Sequence, residues 1–297
     1  MTGAALLTPR TALADEHFVG MSKFPSSVDE LSAPRLPPPF VLPELSHRSW
    51  DVSAAWLAGV GVPTQTSRTS PALGLAHLDL EGDVIFPRRL YVGATVPFGG
   101  ALSPDGASGA KTFLGNVEGH IRVVFPLPSW LAFGAVLGVV SPTARYARDS
   151  GAHLAATAAS SLEPTDAVHF VPDAFALRPA MDVRVLRGPF VVQARQGIDI
   201  VVDTRNGHAL TTGRFLGHAG IRVKSDVELS VELTQLYMFD QRASDQRRTA
   251  LTVGPGARLS LGAIDVGAAI VTSVFDPLSS ELQRFVGLRL SLVAPID

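Results

Sequence analysis

The chain of 297 residues contains no cysteine, which excludes disulfides and thiolate metal sites. Charged residues make up only 18% of the chain, whereas about a quarter is usual in soluble domains. The net charge is -2 and no cluster of Lys and Arg stands out, so nucleic acid is not expected as a partner. Phosphate-cradling glycine loops and zinc-ligand spacings are also missing, and no cofactor or metal is predicted.

Long uninterrupted apolar runs are missing as well, although 46% of the residues are hydrophobic and the mean hydropathy is +0.25. Residues 123–144 carry no charge, but prolines interrupt them. The apolar part, 130–140, is too short for a membrane helix, which needs about 20 residues, and has the length of a tilted membrane strand. High apolarity without a membrane helix leaves two classes of protein, one with a large soluble core and one built as a barrel.

The N-terminal part divides into two segments. Residues 11–14, Thr-Ala-Leu-Ala, resemble the small-residue cleavage site of a secretory signal, so 1–14 is interpreted as a signal-peptide remnant. A disordered native N-terminus is the alternative. Residues 15–49 form a proline-rich segment, which is stiff and extended. Two placements are open for it, either in the periplasm or inside the barrel as a plug. The third segment is 50–297.

Residues 50–297 show about twelve stretches in which apolar and polar residues alternate, as in half-buried strands. Tight turns alternate with longer polar links between them. The tight turns fall at 86–88, 125–130, 187–189, 224–226 and 261–263, and the longer links near 61–72, 98–111, 142–175, 203–212, 240–248 and 275–283. The predicted strands are 50–60, 73–86, 88–97, 112–125, 130–141, 176–187, 190–202, 213–224, 226–239, 249–261, 263–274 and 284–294.

Aromatic residues gather at both ends of these strands. They resemble the two aromatic girdles at the lipid–water interfaces of a barrel. The alternative is that they close the ends of a soluble β-sandwich. Beside the tight turns or the start of the first strand lie Trp50, Phe86, Phe125, Trp130 and Phe190, and beside the longer links lie Phe98, Phe113, Phe215, Tyr237, Phe239, Phe275 and Phe285.

Charged residues repeatedly occupy one face of a strand. A hairpin turning at 224–226 places Arg222 opposite Glu228 and His218 opposite Glu232, which pairs compatible charges across the strands. This face is predicted to line the lumen, because a charge facing lipid near the midplane costs about 2–4 kcal/mol. The predicted lumen residues are His77, Asp79, Glu118, His120, Arg122, Arg195, Asp199, Arg214, His218, Arg222, Glu228, Glu232 and Arg289.

The alternation, the girdles and the unequal links resemble Gram-negative outer-membrane β-barrels as a general class, over residues 50–294. The resemblance implies an all-β, antiparallel, up-and-down transmembrane barrel of about twelve strands in the bacterial outer membrane, with the lipid bilayer as partner. It also implies that both chain ends face the periplasm. Such barrels typically end in an aromatic residue, whereas residues 292–297 contain none.

Two functions suit such an interior. One is a narrow, porin-like pore for small polar solutes through a mixed-charge lumen. The other is a structural barrel whose lumen is plugged. A soluble secreted β-sandwich that binds a ligand is a third alternative. The link 142–175 contains a potential short helix at 150–162, which either constricts the pore or lies on the surface. The oligomeric state is left open.

An enzyme is not predicted. A barrel phospholipase needs Ser and His within hydrogen-bond reach, and no local motif joins the histidines of the outer loops, His153, His169 and His208, to a serine. Two groups could hold a cation: Glu118 with His120, and His77, Asp79 and Glu81. A structural network inside the lumen is the preferred interpretation of both.

Overall fold

The computed structural model describes one antiparallel sheet of long strands. Among the described residues, no helix is long and apolar enough to cross a membrane. The predictions for 1–14 and 15–49 lie outside these residues. The described residues are 50–63, 72–83, 90–102, 111–126, 130–146, 156, 160, 163–224, 226–239, 249–262, 264–275 and 282–295.

Each predicted strand coincides with an observed one. The predicted strand 112–125 is divided in two by an interruption at 115–117, so thirteen strands occupy twelve positions. The strands are β1 (Trp50–Pro63), β2 (Ala72–Asp83), β3 (Leu90–Leu102), β4 (Lys111–Leu114), β5 (Glu118–Pro126), β6 (Leu131–Val140), β7 (Ala174–Arg187), β8 (Phe190–Asp203), β9 (Ala209–Arg222), β10 (Val227–Met238), β11 (Thr249–Ser260), β12 (Asp265–Phe275) and β13 (Leu282–Pro295).

The strand pairs form a continuous ring. Consecutive strands pair antiparallel, and β4 and β5 both pair with β3. The first and last strands also pair, from Asp51 opposite Pro295 to Pro63 opposite Leu282. Following the pairs from β1 through β2 and β3 to β13 therefore returns to β1. This is the up-and-down barrel predicted from the sequence.

The two ends of the barrel differ in their links, as predicted. At one end the strands are joined by 84–89, 127–130, 188–189, 223–226 and 261–264, and at the other by 64–71, 103–110, 141–173, 204–208, 239–248 and 276–281. The shortest link, 188–189, begins with Gly188 at a φ of 58°, which favours glycine. Because Asp51 pairs with Pro295, the start of β1 and the end of β13 both lie at the tight-turn end of the barrel.

The faces of the strands are reversed relative to a soluble protein. In β10, Glu228 is 0% exposed, whereas Leu229 and Val231 are each 49% exposed. In β13, Arg289 is buried between exposed Leu288 and Leu290. A soluble β-sandwich would bury the apolar faces instead. The sandwich alternative is therefore wrong, and the outer surface is one that suits lipid.

Aromatic rings are exposed at both ends of the barrel, as the girdles require. Phe125, Trp130 and Phe190 lie at the tight-turn end. Phe98 and Phe239 lie at the other end.

Phe113 departs from the predicted pattern. Its ring contacts Tyr146 and Phe170, at centroid distances of 5.5 and 5.8 Å. The interruption at 115–117 shifts the in–out alternation, because Leu114 is exposed and Glu118, four residues later, is buried. Phe113 therefore lies inside rather than in the girdle.

Candidate functional site

The candidate site is the charged interior of the barrel. Most of the predicted lumen residues that the structure describes are buried on the inward face; His120 and Arg195 are partly exposed. His77 and Asp79 lie on β2, where side chains are outside the described residues. The role of all of them as a pore lining stays a prediction. The buried ones are Glu118, Arg122, Asp199, Arg214, His218, Arg222, Glu228, Glu232 and Arg289.

The predicted cross-strand pairs are confirmed by the register. Arg222 lies opposite Glu228, and His218 lies opposite Glu232. The shorter contact of His218 is not with the residue directly opposite, since His218 Nε2 is 2.8 Å from Glu228 Oε1, whereas His218 Nδ1 is 3.5 Å from Glu232 Oε1. Both strands thus contribute to one buried charge network.

The C-terminal part of the longest link, 141–173, enters the barrel. It contains the 3₁₀ helix Pro164–Phe170, in which Val168, His169 and Phe170 are buried. We call residues 163–171 the strap. The strap also contacts β9 and β10. The surface alternative is therefore wrong for residues 163–171, and His169, which was predicted in an outer loop, lies inside the barrel because this part of the link folds inward.

The helix predicted at 150–162 is described only in part. Ala156 and Ser160 are helical, and the Ser160 hydroxyl donates to the Ala156 carbonyl at 3.0 Å. Ala156 is 1% exposed.

Asn116 attaches the strap to the barrel wall at the interruption between β4 and β5. Its side-chain amide donates to the carbonyls of Val168, at 3.0 Å, and Val171, at 2.6 Å. Its side-chain oxygen accepts from the Ala144 N–H at 2.8 Å. Its backbone N–H donates to the His169 carbonyl at 2.6 Å. The break in the strand therefore supplies hydrogen bonds to the inserted link.

Gly115 allows the strap to lie close to the wall. A Cβ atom at this position would be 2.6 Å from the His169 carbonyl oxygen and 2.8 Å from the Pro97 ring. Any larger residue would push the strap or β3 away. A glycine beside Asn116 thus belongs to the attachment.

Arg178 on β7 connects the strap to two wall strands. Its guanidinium lies 2.5 Å from Glu118 Oε2 on β5 and 3.1 Å from Asp199 Oδ1 on β8. It also reaches the strap, at 2.8 Å from Asp166 Oδ1 and 2.8 Å from the Thr165 carbonyl. One buried cation is thus shared by carboxylates from the strap and the wall.

His169 and Arg214 extend this cluster. His169 Nε2 lies 2.9 Å from Glu118 Oε2. Arg214 Nε on β9 lies 2.8 Å from the same oxygen of Asp199 that contacts Arg178. The network therefore runs from β5 across the strap to β9.

Arg289 on β13 makes the corresponding contact on the other side. Its Nη2 is 3.1 Å from Glu163 Oε1 of the strap, and its Nη1 is 3.2 Å from Glu232 Oε2 on β10. Arg178 and Arg289 belong to strands on opposite sides of the ring, with five strand positions between them in each direction. The strap and the two arginines thus bridge the interior from wall to wall.

The wall carries further buried pairs that do not involve the strap. Arg195 contacts both oxygens of Asp182, at 2.5 and 2.8 Å, in a bidentate pair. Arg258 Nη2 is 3.0 Å from Glu232 and 2.8 Å from His218 Nδ1.

Tyr146 follows β6, outside the strands, and contacts the C-terminal end of the strap. Its hydroxyl donates to the Phe170 carbonyl. Burial, together with the nearby charge of Asp173, raises the pKa of the Tyr146 phenol. The phenol therefore remains a hydrogen-bond donor at physiological pH.

Several residues of the network were missed from the sequence. Arg258 lies on a strand with an interior Gly-Pro-Gly sequence at 254–256, which obscures the alternation. Contacts of Glu163, Asp166 and His169 could not be predicted because they depend on how the link folds inward. The missed residues are Glu163, Asp166, His169, Arg178, Asp182, Arg184, Arg258 and Asp265.

The buried carboxylates of this arrangement are bonded to arginine and histidine side chains. Within the described part of the chain, no cluster of three or more potential metal ligands occurs. Glu118, one of the predicted cation ligands, is bonded to Arg178 and His169 instead. The other predicted group, on β2, lies where side chains are not described.

Comparison with known proteins identifies the fold. No protein-family profile and no curated protein matches the chain. An outer membrane channel from Pseudomonas putida F1 is similar in structure, with 13% identity, a TM-score of 0.65, and coverage of 84% of this chain and 95% of that chain. The beta domain of the Bordetella autotransporter Brka has 11% identity, a TM-score of 0.50, and coverage of 84% and 100%.

These similarities, at such low identity, show the fold alone. The fold is that of bacterial outer-membrane β-barrels. It agrees with the outer-membrane location predicted from the sequence. An apolar outer surface around a charged interior suits the lipid bilayer as surroundings.

Proposed function

We propose that the protein is a narrow channel of the outer membrane that passes small polar solutes through its mixed-charge interior. The observation that supports this is the set of buried, paired charges that face the lumen from β5 to β13. The strap narrows this lumen. Such a lining offers donors and acceptors that can replace water around a small polar solute. One protein of similar structure is described as an outer membrane channel.

The test is the conductance of purified protein in planar lipid bilayers. We expect small, stepwise currents from the wild-type protein. Arg222→Ala removes a buried cation and should shift selectivity towards cations, whereas Glu232→Ala should shift it towards anions. Lys224→Ala is the matched control, because this cation lies exposed in the link after β9. Currents that are identical in all four proteins would contradict a lining role.

A structural barrel with a closed lumen is the second candidate. The observation that favours it is the nearly complete burial of interior charges, such as Glu228 at 0% and Arg178 at 2% exposed. This candidate predicts a flat current trace from wild-type protein. The same trace would exclude the channel.

We propose a channel rather than an enzyme. Support comes from His169, whose Nε2 lies 2.9 Å from Glu118 Oε2 and 3.2 Å from Arg178 Nη1, within the charge network of the interior. Purified protein incubated with phospholipid vesicles should therefore release no fatty acid. Release that disappears in His169→Ala would contradict the proposal.

A further inference from the structure

We propose that the strap is a gate, which pivots at its contact with Asn116 and is held shut by two releasable ion pairs, Asp166–Arg178 and Glu163–Arg289. This inference rests on the proposed channel function. It follows from an asymmetry between the two ends of the strap, which differ in how they are bonded to the wall.

The pivot end is attached mainly by hydrogen bonds between Asn116 and backbone groups of the strap. Asn116 is 0% exposed and bonds to the backbone of Val168, His169 and Val171. The Phe170 ring packs edge-on against Phe113. Buried backbone groups that lose such bonds are costly to leave unsatisfied. Residues 168–171 are therefore expected to stay in place.

The other end is bonded differently, because each wall arginine has a second carboxylate. If Asp166 leaves together with the neighbouring Thr165 carbonyl, Arg178 keeps Glu118 and Asp199.

If Glu163 leaves, Arg289 keeps Glu232. Breaking a buried ion pair is normally costly because it leaves a charge uncompensated. Here the wall charges remain paired, and the freed carboxylates of the strap become hydrated. The strap thus has two arrangements in which the wall arginines remain compensated.

Because of where the two ion pairs lie, their release would change the path through the lumen. They join the strap to β7 and β13, on opposite sides of the ring, so the closed strap crosses the lumen. Release of both would open a path beside the wall. The expected signature is a channel that alternates between a low and a high conductance level.

The first experiment weakens the pairs by neutralising the strap. Glu163→Gln and Asp166→Asn should each raise the ratio of high- to low-conductance time, and the double variant by roughly tenfold, corresponding to about 1.4 kcal/mol. Asp182→Asn is the matched control, since it disrupts a buried pair with Arg195 within the wall. It should change selectivity without changing the open fraction.

The second experiment locks the gate. Because the chain has no cysteine, Glu163→Cys combined with Arg289→Cys provides the only two thiols. A short bis-methanethiosulfonate linker spans the distance between two long side chains, which a direct disulfide does not. We expect linked protein to remain at the low level and a reducing agent to restore switching. The single variant Glu163→Cys should react with a monofunctional reagent, since an opening strap exposes position 163.

The outcomes separate the gate from the channel. A linked protein that switches like the reduced one, or a position 163 that never reacts, overturns the gate and leaves the channel intact. If the wild-type protein and Glu163→Gln both fail to conduct, the proposed channel function itself is wrong. An equal rise in open fraction in Asp182→Asn would show that interior charge, rather than release of the strap, controls the current.

Discussion

At the scale of single residues, Arg178 shows why the interior needs its arginines. Three carboxylates, from Glu118, Asp166 and Asp199, share this one guanidinium, which is 2% exposed. Arg178→Met removes the cation that the three share, although Asp199 keeps Arg214, and should lower the free energy of unfolding by about 3–5 kcal/mol. Urea unfolding in lipid vesicles, followed by tryptophan fluorescence, measures the change.

The matched control for Arg178 is an exposed ion pair of similar length. Arg205 lies 2.6 Å from Asp173 with a side chain that is 57% exposed. Arg205→Ala should change the free energy of unfolding by less than about 1 kcal/mol. Equal effects of the two substitutions would mean that the interior is hydrated enough to screen its charges.

Tyr146 gives a prediction for pH. Burial, then the charge of Asp173, raises its pKa above that of an unfolded tyrosine, which is about 10. Between these two values the folded protein holds a proton that the unfolded chain has lost. The contribution of Tyr146 to stability is therefore complete below about pH 10 and declines as the pH rises above it.

Alkaline titration of tyrosinate absorbance tests this expectation. The chain has three tyrosines, and subtracting the titration of Tyr146→Phe isolates one of them. The difference should show no ionisation near pH 10 while the barrel is folded. A normal transition in the difference trace would show that the phenol is accessible to solvent and is not held by the Phe170 carbonyl.

At the scale of the elements, the alternating faces predict how substitutions depend on depth. Val231 is 49% exposed in the middle of β10, whereas Val223 is 53% exposed in the link after β9. Val231→Arg should lower the free energy of unfolding in vesicles by about 2–4 kcal/mol, and Val223→Arg by about 0–1 kcal/mol. Equal effects would contradict the proposed depth of β10 in lipid.

The strands could be predicted because in–out alternation is a local property. Neighbouring residues of β10 alone place Glu228 and Glu232 on one face and Leu229 on the other. A tight turn then determines the register of the next strand, so the pairing of Arg222 with Glu228 followed directly. Errors in strand boundaries did not affect these conclusions.

The interruption at 115–117 and the strap could not be predicted, because distant residues determine both. Asn116 bonds to Val168, 52 residues away, and Arg289 bonds to Glu163, 126 residues away. The local pattern around Phe113 does not indicate the shift in alternation that turns its ring inward. The charged face was thus predictable, whereas the element that crosses it was not.

At the scale of the whole molecule, the barrel depends on the pairing of its first and last strands. Unpaired backbone N–H and C=O groups that face lipid are costly. The edge strands β1 and β13 must therefore hydrogen-bond to each other. Ala55 lies opposite Ser291 in this seam, and both residues share the inward side with Leu57 and Arg289. The seam joins parts of the chain that are far apart in sequence, and it can be tested directly.

Because the chain has no cysteine, Ala55→Cys with Ser291→Cys should form a disulfide on oxidation, since opposite residues of paired strands have suitable spacing. Ala55→Cys with Leu292→Cys is the matched control, because Leu292 is 45% exposed on the opposite face. Electrophoresis in SDS should show a heat-dependent band shift for the folded barrel, and a cross-linked, more compact form after heating only for the first pair. A cross-link in both pairs, or in neither, would contradict this register between β1 and β13.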